Sequence, residues 1–479
     1  MTATKQRNIT FLFFLQLLII FFYFYTLYRD DSLIKSNFVL FSFVAVLFLV
    51  FVVGEEFTLF IYFTVSVILT NLGILPNVIG AYFSAALFII GNMLFITVKK
   101  KSKPTVNLPN IIRVCFLVFL INMIISTFFS YIRGMLNLGS IIGATSFIIG
   151  GFIIYFIYNT VNNAEQLKKL IYIIILVICF SSIIWLFGLI NNVYGKTLFM
   201  PFRRIGMNEV GVLLGMVTVL SLSLLIFEKN QTRKTLWIIS TILIFLGLIL
   251  VKSRGAWLGV MIAIIFMFLK TKHYKMLFYF GIAAIVISFI QPIKTAFLLR
   301  IFQTSLYDPA WLARAIMWET ALKIIKHNFL VGIGINNFGL MKYYYGFPIF
   351  LDPTNLFSGF KFSYLGPKQL LFGHTHNLYI EMLMNLGIVG FISFICIIIF
   401  SIIKLNKIYD RIDDYSLKAI TLGLSASLIA YMIHSLLDYL LWIFSSLTIF
   451  ALFLGMTLVV IKLFESKKLT VNVAVNVIK

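Results

Sequence analysis

The sequence predicts an all-α fold, a polytopic membrane helix bundle of about 14 spans (12–14 by the apolar runs) with one large outer-face loop containing an amphipathic helix; three observations carry that expectation. Hydrophobic residues make up 61% of the 479-residue chain and charged residues only 11%, whereas a soluble domain needs far more charge to face water. Apolar runs of roughly 17 to 25 residues recur from end to end, the length that crosses a hydrocarbon core. Lysines and arginines gather in short connections between those runs, as the positive-inside bias expects on the cytoplasmic side.

The candidate spans lie near residues 9–28, 37–53, 57–73, 78–97, 110–130, 141–160, 170–190, 208–227, 235–252, 256–270, 275–292, 376–403, 416–437 and 439–461. Those at 37–53, 57–73 and 256–270 are short, and treating one as re-entrant changes the count. Lys99, Lys100, Lys101 and Lys103 form the densest basic cluster, which sets that connection inside. Alternation then places Lys5/Arg7, Lys168/Lys169, Lys229/Arg233/Lys234, Lys270/Lys272/Lys275, Lys404/Lys407/Arg411 and Lys462/Lys467/Lys468 inside as well. One choice of orientation thus satisfies all seven basic ends. The net charge of +23 is accounted for by topology and attraction to anionic lipid, so no nucleic-acid partner is implied. Cys115, Cys179 and Cys396 all fall in apolar runs, with neither metal-ligand nor disulfide-frame spacing. Residues Asn8 to Tyr28 are long enough to span, and no small-residue cleavage site follows them.

The chain divides into N-terminal spans over 1–292, a large outer loop over 293–375, and C-terminal spans with a short tail over 376–479. A loop that long in a compact fold is functional or separately structured. Asp308-Pro309 suits a helix start, with Asp as N-cap and Pro in the first turn. Trp311, Ala315, Trp318, Leu322 and Ile325 then form one apolar stripe opposite Lys323 and Lys326. That pattern describes a helix in the headgroup region with its tryptophans at the interface. Neither a fixed-period repeat nor an inverted pair of interrupted helices is present in the pattern.

Polar residues at membrane depth are costly and point to function, and here they collect at the predicted outer ends of spans. Arg203-Arg204, followed by Gly206, Asn208 and Glu209, precede the span at 208–227; interfacial snorkelling is the ordinary explanation of such a pair. Ser253-Arg254-Gly255-Ala256-Trp257-Leu258 joins two spans with almost no loop, which holds Arg254 at the surface, either as a turn anchor or as a bidentate phosphate ligand. Arg314 shares a helix face with Trp318 four residues on, where cation–π support would also explain it. The run Gly373-His374-Thr375-His376-Asn377-Leu378-Tyr379-Ile380-Glu381 brings a histidine pair to the start of a span. His-x-His suits a metal, but no third ligand of the right type is close in sequence; an imidazole general base fits better. His434 and Asp438 stand four apart near the outer end of the thirteenth span, either a carboxylate orienting a histidine or two buried polar groups satisfying each other. Arginines with a base suit a pyrophosphate leaving group and a hydroxyl nucleophile better than they suit transport.

At these residues the chain resembles the O-antigen ligase and O-antigen polymerase superfamily of bacterial envelope glycosyltransferases. The matching pieces are Arg254-Gly-Ala-Trp-Leu258; Arg314-x-x-x-Trp318 leading into Gly332-Ile-Gly334-x-x-x-Phe338; His376-Asn377 followed by Gly387-x-x-Gly390; and His434 to Asp438. The pieces span roughly residues 200–440, and an insert near Leu351 to Lys368 matches nothing in the pattern. The resemblance implies a GT-C-like enzyme of the cytoplasmic (inner) membrane, its active site facing the periplasm or exterior, using neither a cofactor nor a metal. It implies a glycan donor on undecaprenyl pyrophosphate, a lipid-linked glycan acceptor, surrounding membrane lipid and a chain-length regulator protein as partners. By the same resemblance His376 is the general base, and Arg254 and Arg314 bind the pyrophosphate as its charge develops. Arg203, Arg204, His374, Asn377, His434 and Asp438 are the supporting substrate-binding candidates, and the anomeric centre inverts.

Within the superfamily, a polymerase extends a lipid-linked repeat unit and a ligase transfers the chain to lipid A–core; the span count and enlarged loop favour polymerase. A lipid-linked oligosaccharide flippase would place charges mid-span along a central pathway, which this pattern does not do. A metal-dependent glycosyltransferase would use acids in the first outer loop; Asp30-Asp31 stand there, without further carboxylates in support.

Overall fold

The computed structural model describes residues 109–134, 138–193, 207–251, 253–288, 309–345, 373–441 and 444–477. The expected spans at 9–28, 37–53, 57–73 and 78–97, together with Asp30, Asp31, Arg203, Arg204 and Asp308, lie outside the described residues. The described part is all-helical. In chain order its helices are α1 (Asn110–Ile132), α2 (Leu138–Thr160), α3 (Ala164–Val193), α4 (Met207–Phe227), α5 (Gln231–Leu250) and α6 (Arg254–Lys270). After these come α7 (Tyr274–Ser288), α8 (Pro309–His327), α9 (Phe338–Tyr344), α10 (Leu378–Tyr409), α11 (Tyr415–His434) and α12 (Phe444–Val477). Each apolar run expected to span between residues 110 and 461 carries a helix among the described residues, and seven of the described helices are long and apolar enough to cross a membrane. The chain is a multi-pass helical membrane protein.

Helices α4, α6 and α11 pack together at the centre. Val212, Leu213, Met216, Val217 and Leu220 of α4 are buried on several sides, which explains why its sequence shows no polar stripe. Contact between α6 and α11 is close because α6 is glycine there: a Cβ at Gly259 would meet the Ala430 carbonyl. Small residues let membrane helices approach in this way. Polar caps mark the turns: Asn230 accepts from Arg233 N at 3.0 Å, and Asp414 accepts from Leu417 N at 2.9 Å.

The helix ends sort into two groups. At one end Lys270 meets Asp410 at 2.9 Å, Lys404 meets Glu465 at 2.7 Å and Lys168 meets Asp414 at 3.6 Å. Lys462 joins them by donating to the carbonyls of Tyr158 and Val161 at the end of α2. These are residues of the basic connections that the charge pattern groups on one side. At the other end stand the starts of α4, α6, α10 and α12 and the end of α11, where the polar motifs lie.

Helix α8 packs one side against protein. Its buried residues are Ala313, Ile316, Met317, Thr320, Ala321, Ile324 and Ile325, so Leu322 and Ala315 of the expected apolar stripe face outward. The buried side packs against Ile333, Phe338, Met341 and Met384 in a second small core. Protein therefore covers a face beside the expected stripe, leaving Ala315 and Leu322 outward, and Trp318 turns its ring nitrogen inward onto Thr375 O.

Below this small core, α10 breaks. Gly387 takes φ 63° and ψ −174°, and the segment after α8 crosses over the break. Ile333 N donates to Met384 O at 3.0 Å, Gly334 N to Asn385 O at 2.9 Å, and Ile388 N to Phe329 O at 2.8 Å. Ser126 Oγ of α1 adds a bond to Asn385 O at 2.7 Å. The backbone groups that the broken helix leaves unpaired are thus met by the loop, as burial demands.

Candidate active site

The segment between the loop and α10 is held at nearly every polar atom. Asn377 is the N-cap of α10, its side-chain oxygen accepting from Tyr379 N at 2.9 Å and Ile380 N at 3.0 Å; its Nδ2 donates to Leu436 O at 2.9 Å. Asn thus serves a capping preference and ties α10 to the end of α11. Thr375 N donates to the buried carboxylate of Glu381 at 2.7 Å, and Trp318 Nε1 donates to Thr375 O at 2.8 Å. Between Thr375 and Asn377, His376 takes φ 53°. A left-handed backbone at a residue with a Cβ costs about 1–3 kcal/mol and persists only where surroundings over-determine it. Here the bonds at 375 and 377 do so, and the constraint fixes where the imidazole points.

His376 Nδ1 lies 2.8 Å from Asp438 Oδ1. The pair joins residues 62 positions apart and corrects the expectation that His434 is the partner of Asp438. Helix α11 stops at His434 with Ser435 as its cap, so residues 434 and 438 do not share a helix face. His434 faces α6 instead, its Nε2 3.3 Å from Ser253 Oγ. Asp438 accepts further bonds from Asn208 Nδ2 of α4 and from Tyr439 N at 2.9 Å. Burial alone would raise the Asp438 carboxyl, but the hydrogen bond from His376, then the nearby imidazoles, hold it well below the usual carboxylate range. Asp438 is therefore an anion. With its charge on Nδ1–H, the tautomer of His376 that leaves Nε2 unprotonated is favoured.

The side chain of His376 keeps 16% of its exposure and that of Asp438 9%, so the imidazole is the more accessible of the two. His374 stacks against His376, ring centroids 4.2 Å apart, and its Nδ1 accepts from His376 N at 3.3 Å. Burial, with the neighbouring His376 and the Arg314 guanidinium, pushes the His374 imidazole down to about 3. That favours the neutral ring. Arg314 stands on α8 four residues before Trp318, whose ring nitrogen bonds Thr375 O between the two histidines.

Arg254 is the first residue of α6, directly after the N-cap Ser253. Ser253 Oγ donates to Asn208 Oδ1 at 2.7 Å, and Asn208 holds Asp438. The arginine thus stands at a helix N-terminus, where the dipole and free N–H groups favour anions, one residue from the network that reaches His376. Of the expected site residues, the fold brings His374, His376, Asn377, Asp438, Arg314, His434 and the start of α6 to one end of the bundle. Arg203 and Arg204 are outside the described residues. Asn208, Ser253 and Glu381 take structural places at the site that their sequence context did not assign.

His374, His376 and Asp438 also present donor atoms that all lie within 4.8 Å of one another. Two imidazoles and a carboxylate would suit a divalent transition metal, so the fold supplies the third ligand that sequence proximity did not. A cation there would have to displace the His376–Asp438 hydrogen bond and sit near Arg314.

No curated protein matches the chain. Residues 239–395, about a third of the sequence, match the family described as Wzy_C, O-antigen ligase. The matched stretch runs from α5 into α10 and takes in Arg254, Arg314 and His376. Over the segment that carries its candidate site, the chain is similar to the O-antigen ligase family, in line with the resemblance its motifs show.

Proposed function

We propose that the protein is a polysaccharide polymerase of the inner membrane, transferring a glycan from undecaprenyl pyrophosphate to a hydroxyl of a lipid-linked repeat unit on the outer face. The observation that carries this reading is the His376–Asp438 pair at 2.8 Å, with the imidazole held at a positive φ. The acceptor hydroxyl donates to His376 Nε2, and its oxygen attacks the anomeric carbon. As that bond forms, the bond from the anomeric carbon to the pyrophosphate oxygen breaks, and the lipid pyrophosphate departs with the electron pair. The hydroxyl proton passes to His376 and Asp438 stabilises the imidazolium. Arg254 and Arg314 offset the growing pyrophosphate charge, an electrostatic role that contributes most where water is excluded. Attack opposite the leaving group inverts the centre.

His376→Ala should abolish polymer formation in membranes that contain the variant at normal level; full activity would remove the catalytic base. Product analysis separates the two readings of the superfamily: lipid-linked polymer without core sugars means polymerase, and glycan on lipid A–core means ligase. Chelation should leave the rate unchanged, whereas EDTA inhibition reversed by Mg²⁺, Mn²⁺ or Zn²⁺ would give the His374–His376–Asp438 cluster a metal.

A further inference from the structure

A hydrogen-bond chain runs behind the His376–Asp438 pair, and its polarity is uniform. His434 Nε2 lies 3.3 Å from Ser253 Oγ, Ser253 Oγ donates to Asn208 Oδ1 at 2.7 Å, and Asn208 Nδ2 donates to Asp438 Oδ2. Because Ser253 spends its hydrogen on Asn208, its oxygen accepts from His434, which then carries its proton on Nε2. His434 Nδ1 is buried without a hydrogen-bond partner, consistent with that tautomer. Each donor therefore points toward the Asp438 carboxylate, and bonds aligned this way strengthen one another. The chain crosses from α11 to α6 to α4 and back to the connection between α11 and α12, so its geometry depends on how three central helices meet. Ser253 is also the residue on which α6 begins, and Arg254 follows it.

We propose that Asn208 and Ser253 are positioning residues for the reaction: they fix the Asp438 carboxylate that aims His376, and they couple it to the helix end bearing Arg254. The proposal rests on His376 being the base. Asp438 Oδ1 takes both His376 Nδ1 and Tyr439 N; without a tether on Oδ2 the carboxylate is held at one oxygen and can swing about its terminal torsion, which has a broad energy well. Asn208 supplies that tether. It also withdraws negative charge from the oxygen that serves the imidazole, so losing it strengthens the carboxylate's pull on the His376 proton. The other charged or titratable groups around the pair are His374 on the loop, Arg314 on α8, Glu209 on α4, His434 on α11 and Tyr439 beyond Asp438.

The test uses the full-length protein in liposomes with a lipid-linked donor and acceptor. Asn208→Ala should lower kcat about 10- to 100-fold, the loss expected for one hydrogen bond to a charged group, while KM for the donor stays within about twofold. The acid limb of its kcat profile should move to higher pH, because an untethered Asp438 makes His376 more basic. In an Asp438→Asn background the same substitution should cost little more, since its effect runs through that carboxylate. Ser253→Ala should reproduce the pH displacement at smaller size and serves if Asn208→Ala does not accumulate. A wild-type pH profile, or a loss fully additive with Asp438→Asn, would overturn the positioning role. Retained activity in His376→Ala is a separate outcome and would sink the base itself.

Discussion

Asp438 accepts three hydrogen bonds, and its environment is arranged to keep it charged. Replacing it by Asn keeps the shape and removes the charge. Asp438→Asn should lower kcat by about 10²- to 10⁴-fold with little change in KM, in the range general-base contributions take. Arg254 offers a second residue-scale test. A guanidinium grips a diphosphate with two parallel bonds, which an ammonium cannot reproduce; Arg254→Lys should be severely impaired even in protein of normal abundance. His374 makes the molecule acid-sensitive. Its folded value, about 3, lies below the roughly 6.5 of a free imidazole, so the unfolded chain binds a proton that the folded one refuses. Stability contributed by the neutral ring is full above that value and falls as pH drops from about 6.5 toward 3. The thermal midpoint of the purified protein should decline between pH 7 and 5, and His374→Gln should flatten that decline.

At the scale of elements, the spans after residue 109 were legible because twenty apolar residues in a row have few other fates. The buried side of α8 was not. Trp311, Trp318 and Leu322 are the bulkiest apolar residues of the segment and suggested the stripe, but the side that packs against protein carries Ala313, Ile316, Met317, Thr320, Ala321 and Ile324, a mixed run of small and large residues with no bulky marker. Likewise His376, Asn377 and Gly387 could be picked out locally, whereas the partner of Asp438 is a tertiary contact that a four-residue spacing misassigned to His434. The break in α10 is an element-scale device with its own test. A Cβ at Gly387 would meet the backbone of Leu330 and Val331 at a φ that side chains avoid. Gly387→Ala should destabilise the protein by about 1–3 kcal/mol, read as a lowered thermal midpoint, whereas Gly281→Ala, with open space around it, should not.

For the whole molecule, one organising feature is the separation of its polar chemistry into two ends. Carboxylates among the basic connections are spent on ion pairs (Lys270–Asp410, Lys404–Glu465), while the opposite end holds histidines, Asp438 and the start of α6. The charge pattern puts the ion-paired end in the cytoplasm. Single cysteines placed at the exposed positions Leu330 and Tyr415, in a cysteine-free background, test this with a membrane-impermeant maleimide applied to intact cells. Leu330→Cys should label and Tyr415→Cys should not; the reverse pattern would invert the proposed topology and, with it, access to an outer-leaflet donor.

The crossing of the Gly332 segment over Gly387 also has a mechanical consequence. Two chain directions are riveted there backbone to backbone, so α8 and the first turns of α10 must travel as one rigid plate. The edge of that plate is clamped in turn to the end of α11, by Asn377 Nδ2 on Leu436 O and by His376 Nδ1 on Asp438 Oδ1. A push on the loop after α8 would therefore be passed through the break in α10 to the imidazole and its carboxylate together.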